Sequence, residues 1–135
     1  MSRLLVLSTS DTDLLALRTA AEDLPEGYGE IDLRNPARVD AEALDRLVAE
    51  ITGGRCWAVC LRLLGGRRAF AEGFDRLRRA CGRARTPFLA WPGERGRDLE
   101  LEAASSCDPG LLGLGARYLQ QGGVENLRNL LRCLS

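Results

Sequence analysis

The stretch of sequence that most constrains the fold spans residues 56–77 and joins an apolar segment, two glycines and an amphipathic pattern. Residues 57–64 are apolar apart from Arg62 and too few for a useful helix, so they predict a strand buried on both faces. Gly65 and Gly66 follow, and residues without a Cβ adopt the positive φ that a tight strand-to-helix turn needs. Four apolar residues then recur at helical spacing, namely Phe70, Phe74, Leu77 and Cys81. The stretch therefore predicts the core of a βαβ unit.

Three further apolar runs predict strands at 3–8, 30–34 and 88–91. The run 30–34 has charged residues at alternate positions, as expected for a half-exposed edge strand. Ser10 or Asp11 is expected to cap the first helix and Asp40 the second. Strands that alternate with helices at short spacing predict a parallel sheet with right-handed crossovers. We therefore expect one α/β domain over residues 1–135, a flavodoxin/Rossmann-like three-layer sandwich with strand order 2-1-3-4 and extra C-terminal helices.

In a sheet of this kind, ligands bind outside the carboxyl ends of the strands, near the switch point between the first and third strands. The residues predicted to lie there, or at the turn beside it, are Ser8, Thr9, Ser10, Asp11, Gly65, Gly66, Arg67, Arg68, Trp91, Gly93 and Glu94. Purely structural roles are also natural for several of them. Asp11 could be a helix cap, Trp91 a core aromatic residue, Glu94 a solvated loop residue, and the glycine pair a turn only.

The nineteen basic residues are all Arg, and the chain has neither Lys nor His. This composition excludes a Ser-His-Asp triad, a His-ligated metal, a Schiff base and a Walker lysine. Five cysteines form no C-x-x-C pair, which favours buried free thiols in a reducing cytoplasm. No apolar run approaches twenty residues, so the sequence supports neither secretion nor membrane insertion.

The zero net charge conceals a segregation of charge along the chain. Residues 1–54 carry five Arg and eleven acidic residues, whereas residues 55–97 carry eleven Arg and three acidic residues. A basic middle could receive nucleic acid, phosphate or a ligand with several carboxylates. We interpret most of these arginines as the solvated face of the helix after the glycines: Arg76, Arg78, Arg79, Arg83 and Arg85. Arg67 and Arg68, beside the turn, are the strongest candidates for binding an anion.

Comparison with three ligand-binding families fails, because residues that each family requires are missing from this sequence. Asp11 and Asp13 after the first strand suggest a phosphoacceptor receiver domain, but that family needs an aspartate after the third strand, where Leu64 stands, and a lysine. A cobalamin-binding module of flavodoxin type would need a histidine. The G-x-G-x-x-G pattern is also missing after the first strand, so nothing in the sequence supports nucleotide binding.

Several short motifs occur in an order and spacing that cover essentially the whole chain. They are STSDTDLL, NPAR, LRLLGGRRAF, AWPGE, DLELEAASS and GGVENLRNLL. Together they resemble the N-terminal (head) domain of the cobaltochelatase large subunit (CobN), a relative of the magnesium-chelatase H subunit. Phe70 departs from the pattern, since tryptophan is expected there.

The resemblance implies a cytoplasmic ligase that binds a tetrapyrrole, hydrogenobyrinic acid diamide, and inserts cobalt with ATP during cobalamin biosynthesis. The partners would be the remainder of the large subunit, ATPase motor subunits and the tetrapyrrole, with no nucleic acid and no membrane. ATP and cobalt would belong to the full complex, since the catalytic body of this much longer family is absent here. This segment would itself hold no cofactor, metal or catalytic residue. It would form part of the wall of the substrate cavity, or dock onto the catalytic body of the subunit. The alternative is a freestanding, non-catalytic flavodoxin-like interaction module.

Overall fold

The computed structural model describes residues 2–135, which form a parallel sheet between two layers of helices. The strands are β1 (Arg3–Ser8), β2 (Glu30–Arg34), β3 (Cys56–Leu63) and β4 (Phe88–Pro92). The helices are α1 (Asp11–Ala21), α2 (Ala41–Thr52), α3 (Ala71–Ala84), α4 (Leu99–Ala104), α5 (Pro109–Gln121) and α6 (Val124–Leu134). Two 3₁₀ turns, Pro36–Arg38 and Gly66–Phe70, follow β2 and β3.

The sheet has the order β2-β1-β3-β4, and each neighbouring pair of strands is parallel. This confirms the predicted flavodoxin-like α/β fold and its strand order. The central strands β1 and β3 pair through Val6 and Cys60, and Cys60 in turn pairs with Leu89 of β4. All three residues are buried, because both faces of these strands are covered by helices.

Each face of the sheet has its own apolar core. On one face α2 and α3 pack over Leu5 and Leu61, and the rings of Phe74 and Phe88 meet edge to face with their centroids 5.3 Å apart. On the other face α1, α5 and α6 cover Leu4 and the remaining apolar side chains of the central strands. The alternation of side chains along each strand thus fills two cores at once.

Helix α6 is fastened to the N-terminal third of the chain. Arg128 donates hydrogen bonds to the carboxylate of Asp23 at 3.0 Å and to the Ala20 carbonyl at 3.3 Å. The hydroxyl of Tyr28 donates to the Leu131 carbonyl. These contacts hold α6 against the apolar core beneath α1, α5 and α6, which we call the second core.

The predicted helix caps are confirmed at Ser10 and Asp40, whose side chains accept the backbone N–H groups of Asp13 and Ala43. The junction after β3 differs from the prediction. Strand β3 ends at Leu63, and Leu64, Gly65 and a five-residue 3₁₀ turn separate it from α3, which begins at Ala71. The helix begins only at Ala71 because Phe70, with φ −153° and ψ 42°, lies outside the helical region and separates the 3₁₀ turn from α3.

All five cysteines are free thiols, and Cys56, Cys60 and Cys81 are buried. Burial raises the pKa of Cys56 to about 11 and that of Cys81 to about 12, so both thiols stay protonated near neutral pH. Within residues 2–135, no helix is both long enough and apolar enough to cross a membrane.

Candidate functional site

A charged network fills the crevice between the carboxyl ends of β1 and β3. Ser8 is 1% exposed, and its hydroxyl donates to the Asp13 carboxylate at 3.0 Å while accepting the Ser10 N–H at 3.1 Å. Arg62, on β3, donates to the same carboxylate oxygen at 2.9 Å and to the Pro92 carbonyl at 3.4 Å. The side chains of the predicted switch point are therefore bound to one another.

Apolar residues of the C-terminal helices cover this network. A cavity of only 20 Å³ lies beneath Leu131 and Leu134, against Arg62 and Trp91. That volume holds about one water molecule. The crevice that binds ligands in many sheets of this type is filled here by the protein itself.

The backbone amides around the crevice also have partners within the chain. The Leu64 N–H donates to the Thr9 hydroxyl at 2.9 Å, and the Gly65 N–H donates to the Glu94 carboxylate at 3.1 Å. The Gly93 N–H donates to the Leu63 carbonyl at 2.9 Å. The structure therefore brings the three predicted loops together, but their contacts join one loop to the next and leave these three amides unavailable to an anion.

Gly65 and Gly66 have φ values of +90° and +72°, the left-handed conformations expected of the turn. Gly66 is buried, and a Cβ at this position would lie 2.8 Å from Oδ2 of Asp98. Asp98 caps α4 by accepting the Leu101 N–H. The glycine turn therefore also contacts the residue that caps the N-terminus of α4.

The variant Gly66→Val is expected to lower the free energy of unfolding by about 1–3 kcal/mol, since a β-branched residue at positive φ is strained and this one would also displace Asp98. Urea unfolding followed by circular dichroism measures the change. Gly54→Val is the matched control, because Gly54 has φ +76° but nothing within 4 Å of the added Cβ. An equal loss in both variants would show that the contact with Asp98 adds nothing.

Arg67 and Arg68 lie in the 3₁₀ turn that follows β3, and anion binding by these two residues stays a prediction. Arg67 makes a two-point ion pair with Asp75, at 3.0 and 2.5 Å, and this hydrogen-bonded pair lowers the pKa of Asp75. Arg68 is exposed and makes no ion pair among the described residues. Both residues precede α3, which begins at Ala71.

Trp91 lies in the apolar core on the face of the sheet covered by α1, α5 and α6. It is 4% exposed, and its indole N–H donates to the Leu112 carbonyl at 2.8 Å. A Cβ at Gly115 would lie 2.5 Å from the ring, so α5 depends on a glycine to approach it. The structural alternative considered for Trp91, a core aromatic residue, describes its place in the fold.

Asp11 lies outside the crevice and binds the segment that follows β2. Arg38 donates to its carboxylate at 2.8 and 3.0 Å, and the side-chain amide of Asn35 donates at 3.1 Å. The bonds from Arg38 and then Asn35 lower the pKa of Asp11 to about 2. Asp11 therefore fixes the 3₁₀ turn Pro36–Arg38, and Ser10 is the residue that caps α1.

We expect the Asp11 carboxyl to titrate near pH 2, and Arg38→Ala to move its midpoint toward the unperturbed value of 3.8. A lowered folded-state pKa contributes stability above the unfolded pKa, and that contribution is lost as the pH falls from about 4 to about 2. Carbon-detected NMR titration of the side chain measures both midpoints. The same midpoint in the two proteins would contradict this account.

Two grooves on the surface were not predicted. The larger, about 660 Å³, runs along β2, and the other, about 590 Å³, lies beside β4. The adjacent leucines at positions 14 and 15 were the available signal for the first, since only one of two adjacent helical positions can point fully inward. The arginines interpreted as a solvated helix face are exposed, apart from Arg76, which pairs with Asp45 at 2.8 Å. Within residues 2–135, no group of three metal-ligating side chains comes together.

No protein-family model matches the chain. It is 29% identical to the aerobic cobaltochelatase subunit CobN of Pseudomonas aeruginosa, over 99% of this chain and 11% of that protein. The structure superimposes on the catalytic subunit of cobaltochelatase from Mycobacterium tuberculosis with a TM-score of 0.79 and 32% identity, over 98% of this chain and 10% of that one. The chain is homologous to a domain of CobN. The resemblance predicted from the motifs is therefore confirmed, and the chain spans about a tenth of the length of these relatives.

The motifs that carried the resemblance to CobN meet in space. STSDTD follows β1, RLLGG ends β3 and AWPGE ends β4, so these three form the interlocked loops at the carboxyl ends of the strands. In this CobN-related domain the hydrogen bonds among them hold the loops in place. Residues of these three motifs thus take part in closing the crevice.

Proposed function

We propose that this chain is a docking domain of a cobaltochelatase large subunit, attached to the body that inserts cobalt. The observation that carries the proposal is the extent of the match: it covers nearly all of this chain but about a tenth of each relative. An α/β domain that recurs as a small part of a much longer subunit is expected to be a module of that subunit. The same match favours this function over a freestanding interaction module.

The geometry favours docking over chemistry. Cobalt insertion needs bases that remove pyrrole protons and ligands that hand over the metal, typically His or carboxylates. The chain has no His, and the Asp13 carboxylate at the switch point is bound by Ser8 and Arg62. The proposal therefore assigns ATP-dependent insertion into the tetrapyrrole, and contact with the ATPase motor subunits, to the rest of the complex.

Direct contact with the tetrapyrrole is the second candidate function. Arg68 supports it, because its exposed guanidinium has no ion-pair partner among the described residues and suits a carboxylate of the substrate. This contact would lie at the rim of the domain, outside the filled crevice.

The test replaces the matching segment of full-length Pseudomonas aeruginosa CobN by this chain. With its motor subunits and ATP, the chimera is expected to insert cobalt, whereas a chimera that carries an unrelated flavodoxin-like domain is expected to be impaired. The isolated chain, expected to insert none, is the negative control. If the unrelated domain supports insertion as well as this chain does, the proposal is wrong. If Arg68→Ala lowers cobalt insertion by the chimera while the domain stays folded, the result would support contact with the tetrapyrrole.

A further inference from the structure

The two edges of the sheet are treated differently. At β4 the outward N–H groups of Phe88 and Ala90 donate to the hydroxyls of Ser106 and Ser105 at 2.9 and 3.0 Å. The Ser106 N–H donates back to the Phe88 carbonyl at 2.8 Å, and Pro92 has no N–H to offer. The chain itself therefore satisfies most of the hydrogen-bonding groups on this edge, which blocks the addition of another strand.

Strand β2 forms the opposite edge and lacks such a cover. Its residues pair with β1 on one side, and among residues 2–135 no backbone or side-chain group bonds its backbone on the other. None of the five residues of β2 is buried. A row of unpaired N–H and C=O groups is the template on which an extended segment adds a strand.

The groove of about 660 Å³ runs along this open edge. One wall is a stripe on one face of α1, made of Asp11, Leu14, Leu15 and Arg18. Leu15 is 63% exposed, so this apolar side chain contributes little to the core beneath α1. The 3₁₀ turn Pro36–Arg38 borders the other side and is held in place by the bonds from Arg38 and Asn35 to Asp11. The groove is thus preformed and partly apolar.

The lining of the groove carries a small excess of positive charge, although its residues come from an acidic segment of the chain. Its lining contains three Arg and two Asp, within a segment, 1–54, that carries five Arg and eleven acidic residues. Asp11 is bound by Arg38 and Asp32 by Arg34. Arg18 makes no ion pair among the described residues. A carboxylate that enters the groove would find Arg18 available.

We propose that an extended segment from the remaining part of the CobN subunit adds a strand to β2, with apolar side chains on Leu14 and Leu15 and a carboxylate at Arg18. The inference rests on the docking function proposed above and names its surface. The occupant is taken from the same subunit because the relatives continue far beyond the tenth of their length that this chain matches.

The test compares amide hydrogen exchange in the isolated chain and in the full-length chimera. Amides of residues 30–34 are expected to exchange at least roughly tenfold more slowly in the chimera. Leu15→Glu and Arg18→Glu are expected to remove that protection without unfolding the domain, because both side chains are exposed. Leu99→Glu and Arg83→Glu are the matched controls, since Leu99 is 69% exposed on α4 and Arg83 is exposed on α3.

The outcomes separate the two proposals. Protection that appears on another surface, with residues 30–34 unchanged, overturns the strand-addition site and leaves docking intact. Identical exchange in the isolated chain and the chimera overturns both. Protection of β2 in the isolated chain that rises with concentration and disappears in Leu15→Glu would identify a second copy as the occupant and would also overturn the inference.

Discussion

Replacement of Trp91 by Ala is expected to lower the free energy of unfolding by about 3–5 kcal/mol. The ring is 4% exposed, lies against Gly115 of α5 and belongs to the same apolar core as Leu130 of α6, so its removal leaves a cavity between the sheet and the helices. The hydrogen bond from the indole to the Leu112 carbonyl is lost as well. Urea unfolding followed by far-ultraviolet circular dichroism measures the difference.

Trp57→Ala provides the comparison, because Trp57 is only partly buried and stacks edge to face on Tyr28 at 5.6 Å. Its loss is expected to cost less than that of Trp91. Trp91→Phe keeps most of the apolar volume and should recover much of the stability. If Trp91→Ala were no more destabilising than Trp57→Ala, the second core would not depend on this ring.

Removal of Asp13 is expected to destabilise the domain by about 3 kcal/mol, because it leaves the guanidinium of Arg62 without its ionic partner in a largely enclosed site. The two side chains are 17% and 16% exposed, and Ser8 also donates to the same carboxylate oxygen. Chemical unfolding of Asp13→Ala measures the loss. The exposed pair of Arg46 and Glu42 on α2 is the control, and Glu42→Ala is expected to be almost silent.

A double-mutant cycle measures the interaction energy between Asp13 and Arg62 separately from the effect of each single substitution. The combination of Asp13→Leu with Arg62→Met removes both charges and puts apolar groups next to Leu131 and Leu134. It is expected to be more stable than Asp13→Leu alone, since an apolar replacement of a buried pair costs less than an orphaned charge. Strictly additive changes would mean that the two side chains do not act together.

The sequence contains enough to predict the sheet and the order of its strands. Periods of apolar residues and the caps Ser10 and Asp40 are local signals, and the charged alternation of β2 marks it as an edge. These features depend on neighbours in sequence and on general rules for parallel sheets.

The candidate site was less predictable because its side chains are committed by distant partners. Asp13 is bound by Arg62, which is 49 residues away, and Trp91 by the Leu112 carbonyl, 21 residues away. Arg67 has its partner only eight residues on, but its 3₁₀ turn begins at Gly66, where the side chain of the distant Asp98 leaves no room for a Cβ. The sequence correctly places these loops at the ends of strands. Whether their polar groups are free to bind a ligand depends on which helices cover them.

The attachment of α6 to the N-terminal third sets an order on folding. The hydrogen bonds from Tyr28 to Leu131 and from Arg128 to Asp23 join residues 103 and 105 positions apart in the chain. On a ribosome, β1 and α1 therefore emerge long before the helix that completes their core, and the apolar face of the sheet stays uncovered until then. A nascent chain halted before residue 124 would expose that face to chaperones and proteases, whereas synthesis of about one further helix would hide it.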